Sequence, residues 1–241
     1  MEILPYNLSE QDKKSEVTRM FDHIAGKYDL LNHLLSFNVD KYWRKRAIRE
    51  LSSSAPKTIL DLATGTGDMA IAAMQVKPNK IIGLDISGEM LRMAKEKVKK
   101  RKMDGKISFI LGDGENIPFS DGTFDAVISG FGVRNFADLK KGMTEALRVL
   151  NREGQLVVLE FSKPGKSLFG RLYRLYFSKI LPGIGGLVSG DHPAYVYLPQ
   201  SVGAFPDGEH FLEVIREAGF VRCYCKPLTF GIATIYSGFK A

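Results

Sequence analysis

The chain has 241 residues, a length typical of a single α/β domain, and 44% of them are hydrophobic, which is enough for a sizeable buried core. Charged residues make up 25% of the chain, and this balance excludes long disordered stretches. The net charge of +7 favours partners that carry phosphate, on nucleic acid or on anionic lipid, and does not choose between them.

The first 50 residues carry a helical pattern. Apolar side chains recur at steps of three and four along one helical face, at Val17, Met20, Phe21, Ile24 and Tyr28. The polar stretch at 52–56, which ends in proline, then interrupts the pattern. We expect residues 1–50 to form a helical lid.

From residue 57 onward, short apolar runs alternate with helical stretches. Five of these runs predict buried strands, at 58–62, 80–85, 107–111, 124–129 and 155–160. The helices predicted between them include 88–100, with Ser87 as its N-cap, and 138–150. A helix at 208–218 and strands at 221–225 and 232–239 are predicted near the end. Strands that alternate with helices imply an α/β class, with a mostly parallel seven-stranded sheet and helices on both faces.

Lysines and arginines are concentrated in two segments. The run at 95–102 predicts a solvated helix face, with a lipid or nucleic-acid contact as the alternative. The stretch at 167–182 mixes large apolar side chains with three basic ones, which predicts an amphipathic helix with a basic face. We expect 166–204 to be an insertion on the substrate side. Within it, 168–187 either lines a hydrophobic channel or rests on a lipid surface, or it is an ordinary core helix with arginines at its rim.

The chain begins without a signal-peptide pattern, and no run approaches the roughly 20 apolar residues of a membrane-spanning helix.

Its two cysteines, Cys223 and Cys225, alternate on a predicted strand, so both side chains point to one face and are poorly placed for a disulfide. Two thiols are also too few for a metal site. These features predict reduced thiols in a cytoplasmic protein that is soluble or peripheral to the membrane, with no bound metal.

Candidate cofactor-binding residues follow consecutive strands, where an open parallel sheet binds its ligands. They are Asp61, Gly65, Thr66, Gly67, Asp85, Ile86, Asp113, Gly114 and Ser129. Glycine at 65 and 67 allows a tight turn and lets a ligand approach the backbone. The carboxylate of Asp85, at the end of the second strand, can accept two hydrogen bonds from a ribose diol. Asp113, after the third strand, can accept from an adenine amine, and the backbone at Ser129 can flank the rest of the cofactor.

The glycine loop by itself fits two cofactors, because Gly65-Thr-Gly-Asp-Met-Ala70 also matches the nicotinamide dinucleotide pattern with alanine in the last place. The pieces after Asp113, namely Ile117-Pro-Phe119 and Thr123-Phe-Asp125, resemble class I methyltransferases and favour S-adenosylmethionine. Taken singly, Asp61 or Asp125 would equally suit a turn cap. An NAD-dependent oxidoreductase, an RNA methyltransferase and a non-enzymatic lipid-binding module stay open as alternatives. The second would need a nucleic-acid module that the sequence does not show, so no nucleic-acid partner is expected.

Beyond these pieces, almost the whole chain resembles the ubiquinone and menaquinone biosynthesis C-methyltransferases. The matching segments are Met20–Asp29 with Asn32, Trp43-Arg44, Leu60–Asp68, Phe131–Asn135, Leu159–Pro164 and Tyr195–Leu198 with Ser201. The resemblance implies a single domain with a class I methyltransferase (Rossmann-like) fold, its cofactor-binding core at 57–161, and S-adenosyl-L-methionine as the methyl donor. It also implies a prenylated quinol as acceptor, demethylmenaquinol being the expected one. Peripheral membrane contact and a homodimer are further expectations.

Two positions depart from the family's pattern. Members often have Asn-Ala where this chain has Asp113-Gly114, and an acceptor oxygen is kept in either case. A serine that commonly precedes the Phe-Gly pair is Gly130 here, with Ser129 one place earlier.

The chemistry that the resemblance implies needs further residues, because a quinol ring carbon is a weak nucleophile until a phenolic proton is lost. Arg134 and Asn135 follow the fourth strand on the cofactor side. We expect Arg134 to stabilise the phenolate, Asn135 to hold a water that relays the proton, and Tyr28 to reach over the methyl donor. The alternative is that Arg134 pairs with a carboxylate and Tyr28 packs in the lid.

The base itself is not identified by the sequence. His23, on the N-terminal helix, and His192 are both candidates, with a structural or surface role as the alternative for each. His33 and His210 have no acidic or metal-ligand cluster near them in sequence and carry no expected role.

Overall fold

The computed structural model describes residues 3–6, 8, 12–36, 38–51, 54–164 and 191–241, and within these it does not describe the side chains of residues 31, 32, 34 and 35. The amphipathic helix predicted over 167–182 therefore lies outside the described residues. Of the expected insertion, only 191–204 is described together with its side chains.

The described chain contains alternating helices and strands after two N-terminal helices. The N-terminal pair is α1 (Lys13–Leu35) and α2 (Val39–Arg49). Then come β1 (Thr58–Leu62), α3 (Asp68–Ala73), β2 (Lys80–Asp85), α4 (Gly88–Lys100), β3 (Ile107–Leu111), β4 (Phe124–Gly130), α5 (Leu139–Val149) and β5 (Leu150–Phe161). The last described elements are α6 (His192–Ala204), α7 (Glu209–Glu217), β6 (Val221–Leu228) and β7 (Ala233–Phe239). The predicted elements that fall on described residues are confirmed, although β5 begins earlier and β6 ends later than the sequence pattern indicates.

The strands form one seven-stranded sheet in the order β3-β2-β1-β4-β5-β7-β6. The first five strands in that order are paired in parallel. Strand β7 is antiparallel to both of its neighbours. The predicted mostly parallel sheet is thus confirmed. Its strand order reverses between β1 and β4, and a crevice at the carboxyl ends of strands is expected at such a switch point.

Helices cover both faces of the sheet. Since successive side chains of a strand point to opposite faces, each inner strand contributes to two cores. Leu60 of β1 faces a core that includes Met143 of α5 and Phe211 of α7. Its neighbour Ile59 faces a second core that includes Trp43 of α2. Buried apolar residues on both faces explain why the inner strands are almost continuously hydrophobic.

Helix α1 packs on the rest of the chain through the apolar stripe predicted for it. Val17, Met20 and Ile24 are buried in a third cluster with Tyr195 and Tyr197 of α6. Phe21 and Tyr28, at the edge of the stripe, are only partly buried against that cluster. The stripe therefore leaves two aromatic side chains at the boundary between α1 and the sheet.

Local details of the sequence also agree with the fold. The hydroxyl of Ser87 accepts a hydrogen bond of 3.1 Å from the backbone N–H of Met90, so the predicted N-cap of α4 is confirmed. Cys223 and Cys225 are free thiols, and both pack on the core that contains Met143 and Phe211. No helix among the described residues is both long and apolar enough to cross a lipid bilayer.

Candidate functional site

A cavity lies at the carboxyl ends of β1, β2, β3 and β4, where the strand order reverses. It encloses about 870 Å³ of space including its open mouth. Among the predicted cofactor residues, those that line it are Gly65, Thr66, Asp85, Ile86, Asp113 and Gly114. The topology thus brings together four loops that are far apart in sequence.

The glycine loop is shaped by backbone geometry and held by Asp85. Gly65 and Gly67 have φ angles of 55° and 81°, which other residues adopt only with strain. One carboxylate oxygen of Asp85 accepts a 2.7 Å hydrogen bond from the Gly65 N–H, and the other accepts 2.9 Å from the Ser87 N–H. Burial raises the pKa of Asp85 above its ordinary value. Each oxygen keeps a lone pair, so the side chain can still accept from two hydroxyls of a ribose.

Three predicted cofactor residues, Asp61, Gly67 and Ser129, lie behind the cavity lining. Asp61 is fully buried, and its Oδ2 accepts from the Thr64 hydroxyl (2.5 Å) and the Ala70 N–H (2.9 Å). Its Oδ1 is buried with no hydrogen-bond partner among the described residues, and burial raises the pKa of Asp61 to about 7. This geometry gives Asp61 the role of supporting the loop from behind. The hydroxyl of Ser129 is likewise buried and without a described partner.

The Asp113-Gly114 pair is fixed by neighbours from two other elements. Asp113 accepts from the Glu115 N–H (2.8 Å) and forms an ion pair with Lys14 of α1 (2.7 Å). A Cβ at Gly114 would lie 2.7 Å from the ring of Phe136, so the aromatic ring occupies the space that an alanine methyl would need. The glycine at 114, where the family often has alanine, therefore has a local packing reason.

Helix α1 is joined to the glycine loop by a charged network. The hydroxyl of Thr66 donates to Asp29 of α1 at 2.5 Å. Lys97 of α4 forms ion pairs with Asp29 (2.5 Å) and with Asp68 of α3 (2.7 Å). Lys97 thus departs from the solvated face predicted for the run at 95–102, whose other basic side chains are exposed.

A second cavity adjoins the first. It is lined by Met20, Phe21, Ile24, Tyr28, Ser36, Asp40, Arg44, Phe131, Arg134, Phe161, Ala194, Tyr195, Tyr197 and Leu198. Phe21, Tyr28, Arg44 and Phe131 line both cavities, so these four side chains form the boundary between them. Most of the second lining is aromatic or aliphatic, which suits a flat apolar ligand.

The predicted catalytic residues are divided between the two cavities. Arg134 lines the second, and Asn135 lines the first, where its Oδ1 accepts from the Tyr197 hydroxyl at 3.1 Å. Tyr28 lines both. Tyr28 therefore lies at the boundary between the cavities, with Asn135 in the lining of the first and Arg134 in the lining of the second.

Arg134 is also paired with a carboxylate, as the alternative interpretation of the sequence expected. Its Nη1 lies 3.0 Å from Oε1 of the fully buried Glu160 and donates to the carbonyl of Phe131. Burial raises the pKa of Glu160, an effect that the Arg134 guanidinium opposes. The Nε of Arg134 is buried with no hydrogen-bond partner among the described residues, while the guanidinium lies 5.6 Å from the Phe161 ring. The ion pair thus leaves the Nε donor of Arg134 without a partner among the described residues, at a buried position.

Sequence reasoning missed one histidine. His33 Nδ1 lies 2.8 Å from Asp40 and its Nε2 lies 3.6 Å from Asp68. The three residues offer ligand-type atoms within 4.8 Å of one another, but Arg44 is ion-paired with both carboxylates and supplies their positive charge. His23, a candidate base, is 63% exposed and does not line either cavity.

His192, the other candidate base, is an exposed residue at the start of α6 and lines neither cavity.

The only sequence signal for His33 was its seven-residue spacing from Asp40. That spacing becomes informative only when the turn between α1 and α2 brings the two side chains together.

Comparison with known proteins agrees with this geometry. A model of the ubiE/COQ5 methyltransferase family matches residues 8–240. A demethylmenaquinone methyltransferase of Bacteroides fragilis is 45% identical over 240 residues, covering 99% of this chain and 97% of its own. A ubiquinone/menaquinone biosynthesis C-methyltransferase of Geotalea uraniireducens is 45% identical over 237 residues, covering 98% and 100%. The solved structure of a SAM-dependent methyltransferase from Thermotoga maritima is similar in fold, with a TM-score of 0.66, 18% identity, and coverage of 92% and 99%.

Proposed function

The chain belongs to the ubiE/COQ5 methyltransferase family and is an S-adenosylmethionine-dependent methyltransferase, and we propose that it methylates a ring carbon of a prenylated quinol, demethylmenaquinol, to give menaquinol. The observation that carries the proposal is the apolar second cavity that meets the cofactor cavity at Tyr28 and Phe131. Its lining is mostly aromatic or aliphatic, and Ser36, Asp40, Arg44 and Arg134 are the polar side chains that could face the hydroxyls of a quinol. A flat aromatic ring would be packed on both sides by aromatic side chains.

The residues of the first cavity fit S-adenosylmethionine. Asp85 keeps lone pairs for the ribose hydroxyls, Asp113 offers a carboxylate near the end of β3 for the adenine amine, and the Gly65–Gly67 turn exposes backbone to the amino-acid portion. When bound, the cofactor supplies an electrophilic methyl group on a positively charged sulfur. The residues' own work is to orient the donor, because an in-line transfer depends on position.

The roles that we propose for Arg134, Asn135 and Tyr28 follow from the cavities that these residues line. Arg134 lines the second cavity, and its guanidinium stabilises the phenolate there. Asn135 holds a water through which the phenolic proton moves. Tyr28 covers the point where donor and acceptor meet, and α1 and α2, within residues 1–50, act as a lid that excludes water.

Two further proposals are peripheral contact with the inner face of a membrane, which the acceptor's apolar tail favours, and assembly as a homodimer. The net charge of +7 supports the first, since anionic lipid attracts a basic surface. Co-sedimentation with anionic and with neutral vesicles tests it, and failure to bind either kind overturns it. Size-exclusion chromatography with light scattering tests the dimer.

Transfer of a labelled methyl group to a demethylated naphthoquinol, with a benzoquinol in parallel, tests the proposed function directly. We expect label in the naphthoquinol product and none with Asp85→Ala, which lacks the ribose carboxylate. Stabilisation by S-adenosylhomocysteine and not by NAD in a thermal shift assay would separate this function from that of an oxidoreductase. Absence of label in either quinol, with the cofactor bound, would overturn the choice of acceptor.

A further inference from the structure

The catalytic residues assigned so far include no base. Methylation of a quinol ring carbon must release one proton, yet the guanidinium of Arg134 stays protonated and the amide of Asn135 is not basic. His23 and His192 lie outside both cavities. The proton therefore needs another acceptor close to the second cavity.

Among the described residues that line the second cavity, Asp40 is the only one with a carboxylate. The same lining contains no histidine. The Asp40 side chain is 5% exposed and contacts three polar side chains. Oδ2 accepts from His33 Nδ1 at 2.8 Å and from Arg44, while Oδ1 accepts from the Ser36 hydroxyl at 2.7 Å. Since Oδ1 carries a single hydrogen bond, it keeps a lone pair for a further donor.

We propose that Asp40 is the catalytic base that receives the hydroxyl proton of the quinol, with His33 and Arg44 as residues that position it. The inference rests on the proposed function of the second cavity. The quinol O–H bond breaks and an O–H bond forms on Asp40. The ring carbon then gains the methyl group as the methyl–sulfur bond breaks, and the oxygen takes its proton back from Asp40. The freed carboxylate of Asp40 next accepts the hydrogen of the methylated carbon as a proton, which restores the aromatic ring, and passes that proton to water, so one proton is released overall.

The charges around Asp40 decide how strong a base it is. Burial by itself would raise the pKa of Asp40, but the Ser36 hydroxyl and the Arg44 guanidinium outweigh it and hold the pKa below its ordinary value. A weak carboxylate base removes a phenolic proton only if the phenolate is stabilised as it forms. Arg44 and Arg134 both line the cavity and provide that stabilisation.

Other groups that face Asp40 are less suited to the role. His33 is directed at Asp40 and Asp68 and does not line the cavity. Burial raises the pKa of Tyr195, so its hydroxyl stays protonated at neutral pH. Asp68 does not line the second cavity, and both Arg44 and His33 lie between it and Asp40.

The test compares Asp40→Asn with a matched control, Asp22→Asn, by methyl transfer between pH 6 and 10. Asp22, on α1, is likewise a carboxylate that accepts from a serine hydroxyl, that of Ser87 at 2.6 Å, but it lines neither cavity. We expect Asp40→Asn to lower turnover at pH 7 by about 10²–10⁴-fold, the usual contribution of a positioned base. The loss should shrink as the pH approaches about 10, where a phenol ionises unaided. Asp22→Asn should keep its turnover within a few-fold of the original.

A second readout separates a base from a structural residue. Quinols that carry electron-withdrawing groups and are already ionised at pH 7 should be methylated by Asp40→Asn almost as fast as by the original chain. Equal losses for acidic and ordinary quinols at every pH, or no loss at all, would overturn the assignment of Asp40. Affinity for S-adenosylhomocysteine and thermal stability, measured beside the rates, identify a variant that is merely misfolded, and Asp40→Glu should restore part of the rate. If the original chain methylates no quinol, the proposed function fails before this inference is reached.

Discussion

The hydroxyl of Thr66 lies 2.5 Å from the carboxylate of Asp29 and donates a hydrogen bond to it. Thr66 belongs to the glycine loop and lines the cofactor cavity, whereas Asp29 belongs to α1, which covers the cavity. Lys97 joins the same pair, at 2.5 Å from Asp29 and 3.0 Å from the Thr66 hydroxyl. The glycine loop is therefore bonded directly to the helix above it, and we expect cofactor binding to be coupled to the position of that helix.

Thr66→Val should weaken binding of S-adenosylhomocysteine by about tenfold or more, because a hydrogen bond to a charged group is worth about 1.5–3 kcal/mol and its loss frees α1 from the loop. Isothermal titration calorimetry measures the change. Thr66→Ser, which keeps the hydroxyl, should bind like the original chain. Equal affinities for the valine and serine variants would show that the bond does not contribute to binding.

Asp85→Asn should lower cofactor affinity by about 10–100-fold. The variant replaces one acceptor oxygen by an NH2 group, which cannot accept a hydrogen bond from a backbone N–H or from a ribose hydroxyl. Asp125→Asn is the control, because Asp125 accepts from the backbone N–H groups of Lys57 (2.8 Å) and Thr58 (2.9 Å) outside the cavity lining. It should lower the unfolding temperature and leave affinity unchanged. The prediction fails if both variants lose affinity in proportion to their loss of stability.

Arg134→Met should lower turnover by about 10²–10³-fold, the size expected for removal of one group that stabilises a developing oxyanion. It should also lower the free energy of unfolding by about 3–5 kcal/mol, because it leaves Glu160 buried without its ion-pair partner. Steady-state kinetics and denaturant unfolding measure the two effects.

The double variant Arg134→Met with Glu160→Gln separates these effects. It removes the unpaired charge, so stability should recover while turnover stays low. Recovery of turnover together with stability would instead assign Arg134 a purely structural role.

Asp61 should make the cofactor-free protein less stable as the pH rises. Burial raises the pKa of Asp61 to about 7, compared with 3.8 for the unfolded chain. Between these values the folded state binds the extra proton, so stability falls as the pH rises from about 4 through 7, by on the order of a few kcal/mol. Thermal unfolding as a function of pH should show this decline, and Asp61→Asn, which does not titrate, should flatten it. An equally steep decline in Asp61→Asn would assign the pH dependence to other groups.

Much of the fold and part of the site could be predicted from local pattern. The two hydrophobic periods predicted the alternation of strands and helices, and residues placed at strand ends, such as Asp85 and Asp113, do line the cavity. A strand-end position is a strong guide because every parallel strand delivers its last residues to the same edge of the sheet. Asp61 precedes the end of β1 and points away from the cavity, behind the loop it supports.

What the sequence by itself determined is therefore whatever depends on neighbours along the chain: the hydrophobic periods, the turn at Gly65, and the order of acids after successive strands. The tertiary structure alone decided which distant charges meet, such as Asp29 with Lys97, Arg134 with Glu160, and His33 with Asp68. An ion pair forms between side chains within about 4 Å, and such distances depend on how helices pack on the sheet. Thus the glycine loop and Arg134 were found from sequence, while the placement of Asp40 in the second cavity was visible only in the fold.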